Sequence, residues 1–213
     1  MKTRDRILHT SRQLFNEEGE ADQSALDIAN ALGISPGNLY YHFKGKDAII
    51  HALFDEFEEE MMIIFRGSHG ALNTIEDGWV YAYIFLEEIY DFRFFYRNLG
   101  ALLARYPDLA ERFSRLLGEK RAAISAFIET LHALERVNVP PVLADTITEQ
   151  MLSLATFWLS MDQIENRDLP ARHLIHKTVY QMITLLVPYM GDQGLDMLER
   201  ITSYYQKAIE KSG

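Results

Sequence analysis

Apolar residues along this 213-residue chain recur at helical spacing nearly everywhere, and no alternating strand pattern or Asn-Gly hairpin signal competes with them. The expected fold class is all-α. Ile7, Leu8, Ser11, Leu14 and Phe15 share one face of a first helix, which Gly19 ends. Ser24 is placed to cap a second helix, with Asp27 at the third helical position as an acidic capping-box partner and Ala25, Ile28, Ala29 and Leu32 facing inward. Gly33 suits the left-handed stop of that helix, and two residues later Ser35 caps a third helix that begins with Pro36, where a missing N–H costs nothing. A short helix, a glycine turn and another short helix make a helix-turn-helix.

A fourth helix starts near Asp47 and keeps Ile49, Ile50, Leu53, Phe54, Phe57 and Met61 on one face. Its first half can close a three-helix head, whereas Glu58, Glu59 and Glu60 lead away as a solvated face. The domain boundary is therefore placed near Phe54, giving a head of residues 1–54 and a larger helical bundle of residues 55–213. From Thr74 to Asn98 the chain is apolar nearly all round, which predicts a central helix enclosed by others. Further helices are expected from Pro107, from Pro140-Pro141, from Pro170 and over Leu195 to Ile209.

With 48% hydrophobic residues the chain can bury a large core, and its lack of cysteine excludes a disulfide scaffold, a cysteine zinc site and a thiol nucleophile together. A reducing compartment is the natural home for such a chain, and the cytoplasm is the expected location. Residues 1–6 run into an amphipathic segment broken by His9 and Arg12, so no secretory apolar region is expected. No uncharged run approaches the ~20 residues of a membrane helix. The net charge of −10 argues at first against a nucleic-acid partner. Residues 1–46, however, carry six lysines and arginines against six acids, so the deficit lies wholly in the remainder. A neutral head can dock on DNA while an acidic body is repelled from it.

The stretch Asp27-Ile28-Ala29-Asn30-Ala31-Leu32-Gly33-Ile34-Ser35-Pro36-Gly37-Asn38-Leu39-Tyr40-Tyr41-His42-Phe43-Lys44-Gly45-Lys46 closely resembles the helix-turn-helix of the tetracycline-repressor (TetR) family. The likeness reaches back to Arg4, Ile7, Leu8, Leu14 and Phe15. It implies a three-helix DNA-binding head, a larger helical ligand domain and a two-fold dimer. Residues 92–99, then Tyr106-Pro107-Asp108-Leu109 and Thr156-Phe157-Trp158-Leu159, are similar to one subgroup of such ligand domains.

The chemistry of the motif also reads directly from its residues. A recognition helix enters the major groove by its N-terminal turn, occupied here by Ser35, Pro36, Gly37 and Asn38. Gly37 lets the backbone lie close to a base edge or thymine methyl, and Asn38 offers an amide to a base or phosphate. Tyr40, Tyr41 and His42 carry donors suited to phosphate oxygens, and Lys44 and Lys46 add charge to the same rim. Leu39 and Phe43 face the core. The plainer alternative makes Tyr40, Tyr41 and His42 the polar side of a surface helix. The family often has a polar residue at the position of Leu26 and a threonine at that of Gln23. Aliphatic Leu26 cannot bond a base, so specificity is expected to lean on the third helix and on DNA shape.

A hydrophobic cavity in the bundle is the expected site of a small-molecule effector, with Trp79, Tyr83, Phe94, Phe113, Phe127, Phe157 and Trp158 as candidate walls. Aromatics at this spacing serve a core equally well. Residues 142–163 and 171–187 are the expected homodimer seam, because Ser153, Ala155, Ser160 and Thr178 beside Leu154, Leu174 and Val179 allow close helix packing. His173 and His176 lack a third ligand, so no metal is expected. Glu87, Glu88 and Asp91 read as an exposed or salt-bridged face, and no nucleophile elbow or phosphate loop is present. No cofactor or enzyme activity is therefore expected. The expected function is a ligand-responsive repressor released from palindromic double-stranded operator DNA by a small hydrophobic or aromatic effector. An activator on the same head, and a helical ligand-binding protein without DNA affinity, are the alternatives.

Overall fold

The computed structural model describes residues 2–67, 72–165 and 169–210, with side chains of residues 193, 195 and 204–210 excepted. Among them every regular element is helical: α1 (Thr3–Glu18), α2 (Ala25–Leu32), α3 (Pro36–His42), α4 (Lys46–Gly67), α5 (Ile75–Asp91), α6 (Phe94–Arg97), α7 (Leu99–Arg105), α8 (Pro107–Ala133), α9 (Pro141–Glu165), α10 (Ala171–Thr184) and α11 (Gln193–Glu210). A 3-10 turn at Val187–Tyr189 precedes α11.

Local chemistry sets the ends of the head helices. Ser24 Oγ accepts from the Asp27 amide at 3.3 Å while Asp27 Oδ2 accepts from the Ser24 amide at 2.9 Å, the capping box read from the sequence. Gly33 takes φ 65 and ψ 33, and the Ile34 amide reaches back to the Ala29 carbonyl at 3.0 Å, closing α2 in a left-handed turn. Ser35 Oγ accepts from the Asn38 amide at 3.2 Å, and Pro36 opens α3. Ile7, Leu8, Phe15, Ile28, Ala29, Leu39, Phe43, Ile49, Ile50 and Leu53 are buried, so α1, α2, α3 and the start of α4 enclose one small core. Arg4 lies over the Phe43 ring at 5.2 Å and extends that cover at the edge.

In the body, α8 packs against α9, α10 against both α5 and α9, and α4 bridges head and body by lying along α8 and α5. The helix expected over Thr74 to Asn98 is interrupted at Phe92 and Arg93. The reason is a side chain from the head. Asn16 Nδ2 donates to the Asp91 carbonyl at 2.8 Å, and Asn16 Oδ1 accepts from the Phe94 amide at 3.1 Å. The Asn16 amide thus satisfies backbone groups flanking the break, a recognised cause of helix interruption. Nor is α5 enclosed all round, because Val80 and Ile84 are exposed.

Candidate nucleic-acid interface and its joint to the body

Only Leu39 of α3 is buried; Ser35, Pro36, Gly37, Asn38, Tyr40 and Tyr41 are exposed and His42 is half-buried. Exposure of Tyr40 and Tyr41 is 57% and 79%, which is far more than a core contribution requires. Tyr41 meets His42 edge-on at 5.2 Å, and Lys44 Nζ sits 4.7 Å from the Tyr40 ring while donating to the Tyr40 carbonyl at 3.3 Å. A Cβ at Gly37 would meet nothing closer than Ser35 Oγ at 3.9 Å, so the protein itself does not require glycine there. Asp27 is committed to the cap of α2; the Ser24 hydroxyl and amide hold its carboxyl below the usual carboxylate range. Leu26 is exposed on α2, and Gln23 is buried, donating to Glu18 at 2.8 Å.

Lys46 stands apart from the rest of the expected DNA-contact set. Its ammonium donates to the Glu20 carbonyl at 2.8 Å and lies 3.3 Å from the Glu20 carboxylate. Arg105 at the end of α7 reaches the same buried carboxylate at 2.7 Å, and that negative charge raises the Arg105 pKa. Glu20 therefore ties the start of α4 to the end of α7. Nearby, Tyr106 donates to Asp47 at 2.8 Å, and His51 lies 2.8 Å from Asp108 and 2.7 Å from the Asp47 carbonyl. Burial works against charging His51, yet its bond to Asp47 and the Asp108 carboxylate more than offset it and raise its pKa. Together with Asn16, whose own carbonyl accepts from Arg97 at 2.6 Å, these bonds join the head to α6, α7 and the start of α8.

The aromatic residues expected to wall one ligand cavity are distributed over several places. Phe127 lines a small cavity of about 50 Å³ between α5, α8, α9 and α10, with Phe65, Leu72, Ala82, Phe85, Met151 and Met182 among its neighbours. Its ring occupies the space a Cβ at Gly78 would need, which accounts for glycine in the first turn of α5. Phe113 does not line this cavity but is buried against Tyr96, 5.4 Å away. Trp79 and Tyr83 instead pack on His176 of α10, at 6.0 and 4.7 Å. Phe94 belongs to the joint, 5.3 Å from Phe15 of the head. Phe157, 53% exposed, and Trp158 line an open groove of about 870 Å³ along α9 and α10, not the inner cavity.

Sequence reasoning missed Lys120, Tyr96, Asn16 and Glu20. Lys120 had a signal: it continues the apolar stripe of Phe113, Leu116, Phe127 and Leu131 on α8, a position that faces the core. It is 2% exposed, donates to the Tyr96 hydroxyl at 2.8 Å and lies within 5.6 Å of the Phe85, Tyr96 and Phe113 ring centres. Burial alone pushes its pKa down to about 7. Glu88, expected on an exposed or salt-bridged face, is half-buried, and burial followed by Glu60 and Asp91 raises its pKa to about 7.

A glycine-jointed helix-turn-helix with an exposed recognition turn, carried on a helical body, defines a DNA-binding transcriptional regulator. Comparison with known proteins agrees. Residues 7–53 match the bacterial regulatory proteins of the tetR family, and residues 56–198 match the associated bacterial transcriptional repressor domain. A TetR-family regulator from Marinobacter aquaeolei VT8 superposes with a TM-score of 0.83 at 31% identity, over 98% of this chain and 99% of that one. Salmonella enterica GusR gives a TM-score of 0.58 at 27% identity, covering 86% of this chain and 95% of that one. The transcriptional regulator UidR of Escherichia coli strain K12 is 29% identical over 170 residues, covering 78% of this chain and 84% of the relative. The chain belongs to the TetR family of bacterial transcriptional regulators. Its relatives are regulators, not enzymes, and no described helix is long and apolar enough to cross a membrane.

Proposed function

We propose that this regulator is a repressor that leaves a palindromic operator when a small apolar molecule enters its body. The observation that carries the reading is the joint. A recognition helix with one buried residue is fastened through Asn16, Glu20 and Asp47 to the segment between α5 and α8, whose Tyr96 accepts a hydrogen bond from Lys120, a residue lining the inner cavity. A change of packing around the cavity therefore has polar bonds through which to tilt the head. Residues 1–54 act as the DNA-binding head and 55–213 as the body. Ser35, Pro36, Gly37, Asn38, Tyr40, Tyr41, His42 and Lys44 face the duplex, and Lys46 holds the head in place.

Residues 142–163 and 171–187 form the homodimer seam. Supporting this, Val142, Phe157 and Met161 are exposed on α9, and the groove beside them is lined by Leu154, Leu174 and Leu185. Two copies joined there would present two heads to half-sites about one helical turn apart, or a multiple of it. Selection of bound duplexes from a random pool tests the reading. The expected product is an inverted repeat whose affinity falls steeply with salt. Failure to enrich any sequence, or enrichment of a single unpaired half-site, would refute it.

A further inference from the structure

Lys120 places a lone amine on the wall of the inner cavity, and no described carboxylate lies in ion-pair reach of it. Apart from Lys120 and the Tyr81 phenol, the residues lining the cavity are apolar. An ammonium taken out of water without a counter-ion is costly, and an anion that pairs with it offsets part of that cost. The rings of Phe85, Tyr96 and Phe113 compensate in part, through their negative faces, but none of them carries a charge.

We propose that this cavity takes an apolar monocarboxylate, whose carboxylate pairs with the Lys120 ammonium while its hydrocarbon part displaces Phe127 from Gly78. The proposal rests on the ligand-responsive reading given above and names the chemistry of the ligand. One ammonium with the Tyr96 hydroxyl beside it matches the two oxygens of a carboxylate. A phosphate or a polyol would leave several polar atoms unpaired against the apolar walls. At about 50 Å³ the cavity is smaller than such an acid, so its walls must yield. Met151 and Met182 are unbranched and adaptable, so the wall facing the Phe127 ring can repack.

Tyr96 is the route from this site to the head. Its hydroxyl accepts from Lys120, its carbonyl accepts from Ser160 at 3.0 Å, and its ring lies 5.9 Å from Phe57 of α4. Tyr96 belongs to α6, the helix whose first amide is held by Asn16 of the head. A carboxylate that inserts between the Lys120 ammonium and the Tyr96 hydroxyl breaks their direct bond, one of those fixing α6. Operator affinity then falls, by several-fold to about a hundredfold for a coupling of ordinary size.

The test is calorimetric titration of the full chain with octanoate, 1-octanol and octylamine at about pH 7, alongside an operator gel shift with and without octanoate. Octanoate is expected to bind at least about tenfold more tightly than 1-octanol, the advantage of one charge-assisted pair, and octylamine more weakly than either. Lys120→Met, its fold checked by circular dichroism, should bind octanoate no better than octanol. Absence of octanoate binding, equal affinity for acid and alcohol, or a preference surviving in Lys120→Met overturns the proposal. If Lys120→Met does not fold, the order of affinities in the unaltered protein decides alone. Operator binding that persists without any octanoate affinity refutes the carboxylate site and leaves the DNA-binding reading intact. Failure to bind any duplex refutes the latter separately.

Discussion

Replacing Lys120 with Met should make the unliganded protein more stable, although Lys120 makes a good hydrogen bond and touches three aromatic rings. Folding removes its amine from water almost completely, and the fall of its pKa from 10.5 to about 7 measures how strongly the interior disfavours the charge. At about 1.4 kcal/mol per tenfold change in proton affinity, that fall caps the penalty at roughly 4–5 kcal/mol. Against it stand ~1 kcal/mol for the donor lost by the Tyr96 hydroxyl and ~1–2 kcal/mol for the ring contacts. Methionine conserves most of the volume and brings no charge. The net expectation is a gain of ~1–3 kcal/mol at about pH 7. The sign of the pH dependence follows from linkage. A base whose pKa is lowered on folding costs most below its folded value, and the cost fades as pH rises toward the unfolded value. The advantage of Lys120→Met should therefore be full near pH 7 and shrink toward about pH 10. Urea denaturation across that range, with unchanged slope m, measures it. A variant less stable than the parent at pH 7, or a difference independent of pH, would refute the reasoning.

Four further outcomes are expected. Asn16→Ala strands the Asp91 carbonyl and the buried Phe94 amide, and should cost ~2–4 kcal/mol in urea denaturation; a loss below ~0.5 kcal/mol would show that water replaces the side chain. Asp108→Asn removes the partner that helps raise the His51 pKa, so its cost is present below the unfolded value of about 6.5 and is lost as pH rises through the folded one. Because Asp108 is exposed, the loss should stay under ~1 kcal/mol and be larger at pH 6 than at pH 8.5; thermal melts at the two pH values decide. Gly37→Ala should leave the melting temperature unchanged within a degree or two yet weaken operator binding about tenfold, whereas Leu26→Ala should preserve sequence preference. Gel shifts on the selected operator and its scrambled form distinguish these outcomes.

Much of the head was legible in the chain because its signals are local. The Ser24 cap, the Asp27 capping box, Gly33, the Ser35 cap and Pro36 each act within four residues, so residue type and spacing suffice to place α2, the turn and α3. The apolar stripes of α4 and α8 were likewise readable, as was the exposure of Tyr40 and Tyr41 opposite Leu39. Lys120 was visible in principle, standing on the stripe of α8, but whether an acid would meet it there could not be known.

What the order of residues determined by itself is most of the helices, the caps of the head and the exposed opening turn of α3, since backbone hydrogen bonding and burial periodicity work over one or two turns. Tertiary structure alone decided the rest. It set Lys46 on Glu20, ended α5 at the Asn16 amide, scattered the aromatic residues between joint, core and groove, and left Lys120 without a counter-charge among the described residues. Each of these depends on groups tens of residues apart meeting in space, and hydrogen-bond partnership and burial of charge are properties of that meeting, not of any stretch of sequence.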